Sequence, residues 1–405
     1  MADVIVVGAG LAGLNCALTL QDRGLSVTVL EAGDAVGGRV RTDVIDGYRC
    51  DRGFQLLNPS YPAVRRYVDL PALDLRSFAA GVAVAGDAGT TVVGDPRRQP
   101  GLIGRSLLSG FARPLELTRL AAWAAPALGP VSRLLDGPDM TLKESLDEAG
   151  VDGRIRREIL EPFLAGVLAS DDGSTSAKFV RLLVRSFLLG TPAVPADGMA
   201  ALPEQLAGRL REPVRLGETV TAIESGPKVR TTAGEEPARA VVVATDPTTA
   251  GAVVRVRAPR MKGLRTYWFA ADDAPRTDNL LVVDGRRDGP VVNTAVMTTA
   301  APSYAPAGRQ LIQATTLYPT EATESEVRIQ LTRMYGRSAG AWEVVVRHDI
   351  AEALPDQLPP LEARQPVDLG DGLYVAGDHR DTASIQGALV SGRRAANTVA
   401  AALAG

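Results

Sequence analysis

Val4-Ile5-Val6-Val7 is a short, unbroken apolar run closed by Gly8, as expected of a strand buried on both faces. A helical stretch carrying Leu11, Leu14 and Leu18 follows, and Val27-Thr28-Val29-Leu30 then reads as a second strand ending at Glu31. Strand, glycine turn, helix and strand make a βαβ unit. Residues 240–244 (AVVVA) are a further apolar strand, and Thr245-Asp246-Pro247 after it is a helix start. That order is expected where a chain re-enters a parallel sheet. Residues 373–376 read as a strand ending in Gly377 and Asp378, and a helix opens near Ser384 and runs to the C-terminus.

Between these pieces the pattern changes. Residues 46–55 read as a hairpin strand that stops at Gly53. Residues 60–195 form a helix-rich insertion, with strands near 81–93 and helices at 102–112, 115–135, 141–149, 153–169 and 177–189. A helix opens at 195–199 and runs through Leu210, followed by short strands at 214–223 and 229–232. Strands at 265–271, 279–284, 291–297 and 310–317 alternate enough for antiparallel pairing, and a helix near 321–335 closes that region. The expected fold class is α/β, α+β overall. One domain, of Rossmann type with a parallel sheet, takes 1–59, 196–254 and 358–405; a second, of mixed sheet plus helices, takes 60–195 and 255–357.

Composition narrows the function classes. With 405 residues the chain can bury a large core, and a net charge of −3 offers no basic field for nucleic acid. No apolar run approaches the roughly 18 residues needed to cross a membrane, and the first strand begins at residue 4, which leaves no room for a leader. Cys16 and Cys50 have no paired spacing and read as reduced packing residues, while two histidines, His348 and His379, are too few for a multi-histidine metal site. A cytoplasmic protein is expected. Between Leu102 and Leu135, Leu and Ala alternate with Arg105, Arg113, Arg119 and Arg133, a face that suits either a packed cap or peripheral contact with lipid.

The chemistry sits in the first unit. Gly8 permits the tight turn, Gly10 lets main chain approach a pyrophosphate, and Gly13 lets the helix lie close to the sheet. Amides at the helix start, near Ala12, then face the diphosphate, and Glu31 is placed for a ribose diol with Ala32 beside it. Beyond the acid comes Gly37-Gly38-Arg39-Val40-Arg41-Thr42, where Gly38 allows close approach and Arg39 offers a forked donor. This GGRxRT extension resembles the flavin-binding superfamily of monoamine oxidases, protoporphyrinogen oxidases and phytoene desaturases, and the implied cofactor is FAD. In those families the stretch after the glycine that here is Gly53 lines the flavin ring, which implicates Phe54 and Gln55. The strand pair before residue 240 holds the adenine, which implicates Val220. The segment from Gly377 and Asp378 to Ser384-Ile385-Gln386-Gly387 resembles the second flavin motif, with helix amides aimed at the edge of the ring that becomes negative on reduction.

Amine oxidases of this fold place two aromatics around the amine and a lysine near flavin N5. Residues 381–386 carry no aromatic, and Lys262 reads as lying before its strand, leaving Arg265 or Thr266 at the lysine position. The ASIxGAxxSG form is closer to the desaturase branch. The expected activity is hydride abstraction from a largely apolar small molecule such as a polyene or porphyrinogen, with oxygen or a quinone as acceptor. An amine or amino-acid oxidase and a non-redox isomerase or structural flavoprotein are the alternatives. No catalytic residue is fixed by motif; Gln55, Tyr318 and His379 are the flavin-facing candidates, and His379 suits proton transfer near neutral pH. Trp268 reads as core, and Arg380 with Asp381 as a solvated ion pair.

Overall fold

The computed structural model describes residues 2–404 apart from 88, 95–97, 99–112, 225, 226 and 255. The expected helix at 102–112 and Arg105 fall outside the described residues.

Val4–Val7 is flanked on both sides by parallel partners, Val27–Leu30 and Ala240–Val243, and Leu373–Val375 extends the sheet beyond the latter. A short antiparallel edge, Asp368–Gly370, completes five strands. Residues 4–7 and 240–243 are buried throughout, which explains why they read as solid apolar runs. The helix Leu11–Asp22 packs on this sheet and on the C-terminal helix Ile385–Ala404. That approach depends on small residues: a Cβ at Gly392 would stand 2.1 Å from the Ala12 carbonyl oxygen, and one at Gly13 would stand 2.0 Å from that of Gly8. Asn15 Nδ2 donates to the Leu389 carbonyl at 2.6 Å and fixes the two helices in register.

A second sheet has seven strands in the order Glu343–Pro355, Met261–Ala271, Gln310–Tyr318, Val291–Val296, Leu281–Asp284, Gly81–Gly86 and Gly89–Gly94. All its pairings are antiparallel except that of Leu281–Asp284 with Gly81–Gly86. Its edge strand Glu343–Pro355, the longest in the chain at 13 residues, is absent from the sequence expectations. The helix Glu324–Tyr335 covers one face over a core of Tyr267, Phe269, Leu331 and Trp342. The helices Glu161–Leu168 and Ala177–Leu189 stand over the other face, with Pro114–Ala124, Val131–Leu135 and Leu142–Glu148 beside them.

One buried residue, Asp51, ties the hairpin 42–51 to the large sheet and to the segments at Met199 and Tyr304. Asp51 accepts from Thr42 Oγ1 at 2.6 Å, the Met199 amide at 2.9 Å and Tyr304 at 3.0 Å. Burial pushes its carboxyl up to about 6 despite those three donors. Its carbonyl accepts from Trp268 Nε1, so Trp268 is a core residue, as expected. Lys262 departs from expectation. The strand begins at Met261, so Lys262 lies within it, buried, with Nζ 2.9 Å from Asp356 and 3.1 Å from Thr175 Oγ1. Arg380 is no solvated partner of Asp381 either: it is buried against the Pro366 carbonyl and Gln365, while Asp381 faces Arg394 at 3.4 Å. Among the described residues no helix is long and apolar enough to cross a membrane. Leu115 and Leu128 are more than half exposed on the cap.

Candidate active site

A cavity of about 1260 Å³ starts at the C-terminal ends of Val4–Val7 and Ala240–Val243 and extends under the cap helices to the large sheet. Ligands of open parallel sheets bind at such strand ends. Its first stretch is walled mainly by main chain. Gly8 has φ +102°, and a Cβ there would meet the Ala244 carbonyl oxygen at 2.8 Å, so only glycine makes this turn. Gly10 is different. Its missing Cβ would meet nothing within 4 Å and would project into open space, the room a diphosphate needs. No side chain caps the helix that begins at Leu11, and Leu11 and Ala12 line the cavity, so the free first-turn amides and the positive end of the dipole are available to an anion.

Glu31 stands at the end of its strand with both carboxylate oxygens already oriented, Oε2 accepting from the Ala9 amide and Oε1 from the Gly33 amide, each at 2.8 Å. Ala32 and Val220 line the same end. Further along, Gly38 and Arg39 face the Asp378 carboxylate, which Arg39 Nη2 meets at 2.5 Å while its Nη1 donates to the Ala353 carbonyl at 2.9 Å. The motif residues 38–39 and 378, more than 300 positions apart, thus form one ion pair. Gly53, Phe54, Ser384 and Ile385 close this half of the cavity, and Ser384 Oγ caps the C-terminal helix by accepting from the Gly387 amide at 3.0 Å.

Beyond them the lining turns apolar: Leu120, Phe163, Val184 and Phe187 from the cap helices, and Leu264 and Leu354 from the sheet. Phe163 and Phe187 pack edge to face with centroids 5.3 Å apart. The strand Met261–Ala271 presents Leu264 to this lobe; Arg265 and Thr266, expected at the lysine position, do not line it, Arg265 pairing with Asp349 and Thr266 with Thr315, and among the described residues no lysine lines the cavity. Arg98 reaches the lobe, but its guanidinium donates to the carbonyls of Phe187, Leu188 and Gly190 at the end of a cap helix.

Of the three flavin-facing candidates, Gln55 lines the cavity. Its Nε2 is tied to the carbonyls of Arg39 at 2.6 Å and Arg52 at 2.9 Å, which fixes the amide in place. Tyr318 does not; its ring lies beneath Arg265 at the far end of its strand. His379 does not either. Its ring is folded back against Gly377, both nitrogens are buried with no partner among the described residues, and burial pushes its pKa down to about 4. Two residues expected to touch the cofactor also lie off the wall: Gly377 gives its amide to Ser391 Oγ, and Gln386 Oε1 accepts from the Ala63 amide. The sequence expectations missed the apolar lobe, because it is assembled from side chains far apart in the chain. Ile350, Ala353 and Leu354 also line it, from a strand whose sequence, EVVVRHDIAEALP, does not alternate apolar and polar residues.

Comparison with known proteins decides the family. The model of the flavin containing amine oxidoreductases matches residues 11–400. The chain belongs to that family. It is an FAD-dependent oxidoreductase. Hydroxysqualene dehydroxylase of Rhodopseudomonas palustris is 28% identical over 98% of both chains. The L-amino-acid oxidase of Echis ocellatus is 41% identical over 78 residues, 19% of this chain and only 16% of that enzyme's length. Among solved structures, putrescine oxidase bound to putrescine superposes with a TM-score of 0.70 over 99% of both chains at 22% identity, a likeness of fold. The residues present fit FAD: an open cradle at Gly10, an uncapped helix start, an oriented acid at Glu31 and an arginine–carboxylate pair midway.

Proposed function

We propose that this oxidoreductase removes hydride from a largely apolar small molecule held in the lobe beneath the cap, in the manner of the desaturase branch. The observation that carries the reading is the wall opposite the flavin-motif residues, built from Phe163, Val184, Phe187 and Leu264 with no lysine. The full-length likeness to a hydroxysqualene dehydroxylase supports the apolar ligand, though not the direction of hydride transfer, since loss of a hydroxyl reduces the carbon that bore it. Bound FAD supplies the hydride acceptor, and oxygen or a quinone takes the electrons onward.

The chain's own residues do the rest. Leu11 and Ala12 offer amides to the diphosphate, Glu31 takes the ribose hydroxyls, and residues near Val220 frame the adenine. Arg39 pairs with Asp378 and holds its carboxylate where it would accept from cofactor hydroxyls. The amides of Ser384, Ile385 and Gln386 at the start of the C-terminal helix would favour negative charge on the flavin ring edge. Phe54 and Gln55 set the floor on which substrate meets the ring, and the cap excludes water so that an apolar carbon chain stays desolvated.

Anaerobic addition of a polyene or a porphyrinogen to the holoenzyme is expected to bleach the flavin absorbance. Rapid bleaching by amines or amino acids, with no response to polyenes and porphyrinogens, overturns the reading in favour of an oxidase. Tight substrate binding without reduction of any acceptor points instead to a non-redox isomerase.

A further inference from the structure

The apolar lobe holds a buried polar group that makes no hydrogen bond to an acceptor among the described residues. Asn293, on the strand Val291–Val296, is 3% exposed and lines the cavity where Gly166 crosses above it. Its orientation is set from behind. Thr315 Oγ1 donates to Gln313 Oε1 at 3.0 Å, and Gln313 Nε2 donates to Asn293 Oδ1 at 3.1 Å. Thr266 pairs with Thr315 at 3.2 Å, so a buried file of four polar side chains crosses the sheet and ends at the cavity. The file runs one way, and its last member presents Nδ2. That group donates to no acceptor among the described residues. Gly166 makes room for it, since a Cβ there would stand 1.9 Å from Nδ2.

Other polar side chains of the lobe are occupied. Asn58 accepts from the Ser60 amide and donates to the Ser186 carbonyl, and Arg98 serves helix carbonyls. A donor left facing an apolar chamber carries its desolvation cost until a ligand oxygen meets it. A site built to bond an oxygen rejects the analogue that lacks one far more strongly than an apolar wall rejects an extra methylene.

We propose that Asn293 is a specificity-determining residue: its Nδ2 hydrogen-bonds a single hydroxyl or carbonyl oxygen on an otherwise hydrocarbon substrate. The inference rests on the apolar-substrate reading above and adds to it the one oxygen that the substrate carries.

Binding of farnesene, farnesol and farnesal to the holoenzyme, followed through perturbation of the flavin spectrum, tests it. The native enzyme is expected to bind the alcohol and the aldehyde at least about tenfold more tightly than the hydrocarbon, the scale of one buried hydrogen bond. Asn293→Leu should erase that ratio while hydrocarbon affinity changes less than about twofold. Asn293→Asp keeps the bond from Gln313 but turns the free donor into an acceptor, so it should keep the alcohol and lose the aldehyde. Variants that retain FAD and the native ratio overturn the role of Asn293 and leave the apolar reading standing. Failure of the native enzyme to bind any of the three overturns both.

Discussion

The two ends of the cavity are made of different material. At the cofactor end the walls are main chain, set by Gly8, Gly10 and the uncapped first turn at Leu11, with the few side chains charged and paired. At the substrate end they are side chains, mostly apolar and drawn largely from the cap helices and the large sheet, with few polar groups such as Asn58, Arg98 and Asn293. Main-chain cradles admit almost no substitution, because backbone cannot be repacked. A wall of side chains can change member by member, and so can its ligand.

Glycine substitutions should break the comparison most sharply. Gly13→Ala forces a methyl to 2.0 Å from a main-chain oxygen and should abolish soluble expression, whereas Gly10→Val has room and should give folded, colourless protein with FAD content below about a tenth of native. Circular dichroism with the visible spectrum checks both; a yellow Gly10→Val protein breaks the assignment of that space to the diphosphate. Next in size, Arg39→Ala strands the Asp378 carboxylate and should weaken FAD binding by about 10- to 100-fold, with Arg39→Lys recovering part of it. Fluorescence titration of apoprotein with FAD measures this.

His379 sharpens the contrast through pH. Its pKa in the folded chain, about 4, lies below its ordinary 6.5, so the stability tied to its neutral form is complete above 6.5 and is lost as pH falls toward 4. Asp51 acts oppositely: raised from 3.8 to about 6, it costs stability as pH rises through that interval. Relative to the native protein, His379→Gln should recover on the order of 2 kcal/mol between pH 6.5 and 4 in urea unfolding, with flavin reduction unaffected at neutral pH. A variant that loses activity at neutral pH instead restores His379 to the chemistry. The smallest effect is expected in the lobe. Phe163→Ala should lower kcat/KM for an apolar substrate by about tenfold while FAD content stays native, because it removes lining without touching the cradle. Steady-state kinetics with flavin quantitation separates the two ends.

Legibility follows the same division. The residues quoted for the cofactor end meet at one cavity, apart from Gly13, which packs the helix, and Gly377 and Gln386, which serve the main chain around the C-terminal helix. Their geometry is local, since turn, helix start and acid follow one another within one unit, and so it was written in spacing. The mixed seven-stranded sheet was foreseen only in pieces. Glu343–Pro355 went unseen because an edge strand half open to solvent mixes Val with Arg, His and Asp rather than forming an apolar run. Lys262 and His379 were misplaced because burial is not read from spacing: Lys262 is buried against Asp356 and Thr175, and the His379 ring is buried against Gly377.

The sequence alone determined the parallel sheet, the flavin motifs and the absence of an aromatic between 381 and 386, all properties of contiguous residues whose spacing obeys helix and strand periods. Tertiary structure decided what no spacing encodes. It brought Arg39 to Asp378, turned Leu264 into an apolar lobe with no lysine among its described lining residues, and ended a file of buried amides and hydroxyls at Asn293. The physical reason is that a cavity is the space several elements fail to fill, and its shape and polarity exist only after packing.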